Sequence, residues 1–143
     1  MGDLDGRSRY LYDAEAAVRD GDEAVSAMRE AGRFLKAAAG IRSPDECRLL
    51  ILAGRMAEER LRRAADQADR SARDPAGRDR TAKLSAAHRQ TALTLERRQV
   101  LQVLEALEQL ETASRAGDRI GREGELEKLR AALAAAAGSE ADS

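Results

Sequence analysis

Few side chains in this chain are suited to chemistry. There is one histidine (His88), one cysteine (Cys47) and three methionines among 143 residues. A dinuclear iron centre inside a helical bundle needs two Glu-x-x-His pairs; His88 is alone and has Ser85 where the glutamate would stand. Haem held by histidine and methionine would have to join His88 to Met56, which a simple antiparallel fold separates by about 12 Å along the axis. Methionine as a core gap-filler is the plainer account.

Cys47 falls in the first turn of a helix, where the positive helix end favours a thiolate. A nucleophile also wants a base nearby, and the same fold leaves His88 about 25 Å away along the axis. A small, part-buried residue is the expected role. A redox sensor or a disulfide to a second copy are the alternatives. Glu58 and Glu59 are adjacent, so they point to different faces. "GDRIGREGELEKL" from Gly117 lacks the strand and the Gly-Lys-Ser/Thr ending of a phosphate loop, and "GDLDG" and "RDGDE" lack the ligand spacing of a calcium loop. The expectation is no catalytic centre, no cofactor, no metal and no enzymatic activity.

Arginine is the plentiful polar group; only Lys36, Lys83 and Lys128 are lysines. Residues 1–41 carry six basic and eight acidic side chains, 42–98 carry 14 and nine, and 99–143 carry five and nine. The basic middle supports an alternative function, a nucleic-acid-associated protein using the Arg-rich 60–89 end. Its anion contacts would be Arg63, Arg70, Arg73, Arg78, Arg80 and Lys83. Against it, Glu58–Arg62, Glu59–Arg63, Asp66–Arg70 and Asp69–Arg73 are four acid-first i,i+4 pairs, which explain these charges as a self-paired helix face. No aromatic residue is interleaved to stack bases.

The elements that must position these groups are helices. Aromatics are 2% and charged residues 36% of the chain, a profile of long helices packed through Leu and Ala. Residues 8–39 carry an unbroken a/d heptad, Leu11, Val18, Val25, Gly32 and Ala39 with Ala14, Gly21, Met28 and Leu35. The two seam glycines weaken the helix, or let another backbone come close. Gly40 stops it. Ser43-Pro44-Asp45-Glu46 starts a second helix over 44–73 as N-cap, first helical residue and capping box. Its inward stripe is expected to be Leu50, Ala53, Ala57, Leu61, Ala64, Ala68 and Ala72. "DPAG" leads to a third helix over 79–116, whose apolar stripe shifts near "QTALT", as a kink or change of partner would require. A fourth follows over 123–137.

The fold class expected is all-α: an antiparallel up-down-up bundle of three long helices with a short fourth C-terminal helix and coiled-coil-like packing. Residues 1–7 are expected to be a flexible N-terminus and 138–143 a disordered tail. In this arrangement "LERRQVLQVLEALEQLE" (95–111) is covered by the start of the second helix, "RLLILAGRMA". One further apolar stripe remains on the third helix. Leu84, His88 and Leu95, together with Leu126, Leu129 and Leu133 of the fourth, are the candidate partner-binding residues.

The expected function is therefore a non-enzymatic helical interaction protein, an adaptor, scaffold, assembly factor or chaperone. It is expected to bind an unidentified protein partner and to form a homo-oligomer. No run of about 18 apolar residues spans a membrane, the N-terminus has no signal-peptide pattern, and a lone cysteine fits a reducing compartment. The expected location is the cytoplasm.

Overall fold

The computed structural model of the chain describes residues 2–73 and 80–141, with side chains described over 19–43, 45–73 and 80–137. Four helices account for them: α1 (Gly2–Ala39), α2 (Cys47–Arg73), α3 (Arg80–Arg115) and α4 (Arg119–Ala141). One 3-10 turn, Pro44–Glu46, leads into α2. Among the described residues there is no strand.

Local chemistry sets the breaks. At the α1–α2 corner the Asp45 N–H donates to Ser43 Oγ (3.3 Å), and Glu46 Oε2 accepts from the Arg42 N–H (3.0 Å). The glutamate thus reaches back one residue further than a standard capping box. At the α3–α4 corner Gly117 takes φ 68°, the left-handed conformation that suits glycine. The Asp118 N–H bonds to the Ala113 carbonyl (3.1 Å), closing α3. The Asp118 carboxylate accepts from the Gly121 N–H (2.9 Å), opening α4. Two residues thus end one helix and start the next, so α4 begins at Arg119 rather than at 123, and Gly121 and Gly124 lie inside it. At the outer ends α1 starts at Gly2. The alanine-rich end of α4 carries the helix to Ala141, past the expected end at 137. Near "QTALT", where a kink or a change of packing partner is expected, α3 stays one continuous helix, with Thr91 and Thr94 hydroxyls donating to the carbonyls of Ala87 and Gln90 (3.1 and 2.8 Å).

Ion pairs tie α2 to α3: Arg48–Glu111 (3.4 Å), Arg55–Glu108 (3.2 Å) and Arg97–Glu58 (2.7 Å). Numbers rise along α2 as they fall along α3. Arg60–Glu30 (2.7 Å) and the Gln67 amide donating to Asp20 (3.3 Å) tie α2 to α1. α4 packs chiefly on α3 and touches α1. At Gly54 the Phe34 ring and Leu104 come so close that a Cβ would lie 2.6 and 2.5 Å from their nearest atoms.

The core departs from the sequence reading in two places. On α1 the buried residues are Ala24, Ala27, Ala31, Phe34, Leu35 and Ala38; of the heptad seam Leu35 is buried and Met28 packs against the core, while Val25 is 50% exposed. At the start of α2, Cys47, Ile51 and Gly54 point inward, while Leu49, Leu52 and Met56 are exposed at 74, 55 and 65%. A segment apolar all round does not specify which side faces the core; the close approach at Gly54 does. Ala53 is exposed and Ala72 half-buried; Ala57, Leu61, Ala64 and Ala68 are buried as the stripe requires. On α3, Val100, Val103, Leu104, Leu107 and Leu110 are all buried.

Candidate functional site

The heptad seam, buried at Leu35 but exposed at Val25 and Ala39, lines two open grooves. Gly32, Leu35, Lys36 and Ala39 face Leu133, Ala136 and Ala137 of α4 across a groove of about 410 Å³. Further toward the N-terminus of α1, Gly21, Ala24, Val25, Met28 and Arg29 face Arg89, Ala92 and Leu93 of α3 across about 520 Å³. The residues 21, 25, 28, 32, 35 and 39 recur at alternating four- and three-residue spacing, so they form one stripe on one helix face. α4 lies along one half of that stripe. No described residue of α4 lines the other half. Nothing comes within 4 Å of where a Cβ would stand on Gly21 or Gly32, so within this chain neither glycine serves close backbone approach.

The structure divides the six candidate partner-binding residues into two groups. Leu84 and Leu95 are exposed at 53 and 52%, and His88 is exposed. They share one exposed face of α3, whereas the groove is lined by Arg89, Ala92 and Leu93 of that helix. Leu129, in contrast, is buried in the core, and Leu126 and Leu133 are half-buried against it. They serve as the internal cover of the bundle. Val25, Met28, Arg29 and Arg89 were missed as site residues. The signal was present for the first two, since both belong to the heptad seam, which was assigned to the core. The exposed ridge Leu49–Leu52–Met56 was missed for the same reason.

The candidate anion contacts are mostly engaged. Arg63 pairs with Glu59 (3.1 Å) and Arg73 with Asp69 (2.9 Å), and Arg70 donates to Gln67 Oε1 (2.9 Å). Arg80 is exposed and Lys83 half-buried, with no ion pair among the described residues, and Arg78 lies outside them. Of the four expected i,i+4 pairs, Glu59–Arg63 and Asp69–Arg73 form. Arg62 turns instead to Glu59 (2.6 Å) and Asp66 (3.4 Å), and Glu58 crosses to Arg97.

Cys47 is fully buried. Burial pushes its thiol above the usual range, and the Glu111, Glu46 and Asp45 carboxylates push it the same way. The helix-terminal lowering considered from sequence is thus outweighed. His88 stands on an exposed face, so thiol and imidazole share no surface. Among the described residues no group of three His, Cys, Asp or Glu side chains gathers to hold a metal ion, and no helix is long and apolar enough to cross a membrane. No family model, curated protein or solved structure matches this chain.

Proposed function

We propose that this chain is a non-enzymatic helical interaction protein, an adaptor, scaffold, assembly factor or chaperone, which docks a helix of another polypeptide along the α1/α3 groove. Its architecture in this reading is an antiparallel up-down-up bundle with coiled-coil-like packing, in which α4 fills part of the position of a fourth long helix. The observation that carries it is the heptad stripe of α1, which lies beside α4 along Gly32–Ala39 and, among the described residues, has no α4 residue along Gly21–Met28. A seam of that period suits packing against a helix. Leu84 and Leu95 add exposed apolar side chains elsewhere on α3.

Two-dimensional NMR with amphipathic helical peptides tests this. Docking shifts the amides of Val25, Met28, Ala92 and Leu93 and leaves those of Leu49, Leu52 and Met56 in place. Shifts confined to the α2 ridge, or no shifts with any peptide, overturn the reading.

A further inference from the structure

The groove is apolar on its floor and cationic at its edges. Arg29 stands on the α1 side and Arg89 on the α3 side. Neither makes an ion pair among the described residues, so both are available to an occupant of the groove that they line. Resting on the docking reading above, we propose that the occupant is an acidic amphipathic helix from a different chain. Its apolar stripe lies between Val25, Met28, Ala92 and Leu93, and carboxylates on both flanks meet Arg29 and Arg89.

Two observations select this occupant. The first is continuity: the same α1 stripe already has a helix, α4, beside it, with Leu35 and Ala136 buried in one core and Leu133 packed against it. The surface therefore suits a partner whose apolar residues recur at three and four, as Leu126, Leu129, Leu133 and Ala136 do. The second is charge. Two grooves pressed face to face would bring Arg29 and Arg89 of one copy against those of the other. Like charges across an interface reject such partners. Carboxylates flanking an apolar stripe pair with both arginines.

The test uses the full chain and two synthetic peptides of about 15 residues, roughly four helical turns. Both carry Leu at the α4 spacing; one has Glu on the flanks and the other Lys. Fluorescence anisotropy at low salt should show the Glu peptide binding at least tenfold more tightly. The variant R29E/R89E should reverse that preference. Its helicity and melting should match the parent, because neither arginine is ion-paired among the described residues. Equal binding of the two peptides, or an unchanged preference in R29E/R89E, overturns the acidic occupant while docking itself survives. Binding of neither peptide overturns both. A dimer of this chain that V25D dissociates assigns the groove to a second copy and also overturns the proposal.

Discussion

The ring of Phe34 on α1 lies against the bare Cα of Gly54 on α2, with Leu104 of α3 closing the other side. Three helices meet at a position with no side chain of its own. G54A adds a methyl with no room: its Cβ would stand 2.6 Å from Phe34 Cζ and 2.5 Å from Leu104 Cδ2. Overpacking costs about 1–3 kcal/mol, against a helix-propensity gain of about 1 kcal/mol. The expected net is a loss of about 1 kcal/mol, read as a fall in melting temperature of about 3 °C. F34L opens space at the contact, so G54A should cost less in that background. Equal costs in both backgrounds would dismiss the contact.

Arg97 and Glu58 form the least exposed of the α2–α3 ion pairs, 2.7 Å apart with side chains 37 and 18% exposed. A double-mutant cycle with R97M and E58Q should return a coupling of about 0.5–1 kcal/mol that shrinks in high salt. Arg55–Glu108, at 63 and 46% exposed, should couple less. Chemical denaturation of the four chains of each cycle gives both values.

Glu59 sets a pH dependence of definite sign. The hydrogen bond from Arg62 holds its carboxyl down at about 2 from the ordinary 4.5, with Arg63 helping and desolvation opposing. The unfolded chain takes up this proton near 4.5, while the folded chain resists until about 2. The stabilisation is therefore complete above 4.5 and is lost as pH falls between those values. E59Q should flatten the stability profile across that window. Carboxyl NMR of Glu59 should show the low midpoint directly, and a midpoint near 4.5 would remove the basis of the expectation.

Helix number and the buried stripe from Val100 to Leu110 were legible in sequence because period and capping residues encode them. Facing was less legible. On α1 the line Ala24–Ala27–Ala31–Ala38 and the seam Val25–Gly32–Ala39 are one residue apart, and hydrophobicity favours the seam. The structure places the alanines inward. The "RLLILAGRM" segment offers several apolar faces and only Gly54 breaks the tie. Leu84, His88 and Leu95 are exposed, as a stripe left unbalanced in the sequence suggests. That Arg29 and Arg89 line a groove depends on how α1 and α3 sit together, which the sequence does not encode locally.

Cys47 should be a shielded thiol. It is fully buried and its thiol is raised above the ordinary 9.0, first by burial. In native buffer it should react with a thiol reagent only as fast as the protein opens, and at full rate in denaturant. Because the folded thiol resists ionisation, its stabilisation is complete below 9.0 and falls as pH rises beyond it. C47A should remove that alkaline decline. Rapid native labelling at neutral pH would place Cys47 at the surface instead.

Gly21 and Gly54 are both mid-helix glycines, and alanine should act on them in opposite directions. A Cβ on Gly21 meets nothing within 4 Å, so G21A gains helix propensity without a clash. It should stabilise the chain by up to about 1 kcal/mol, raising the melting temperature by about 3 °C. The same residue lines the open groove, so the added methyl stands where a docked helix would lie. If that helix approaches the backbone at Gly21, G21A should be more stable and bind the Glu-flanked peptide more weakly. A substitution that only stiffened α1 would raise stability and leave the affinity unchanged. Melting and anisotropy on one variant thus separate a glycine kept for docking from one that merely weakens the helix.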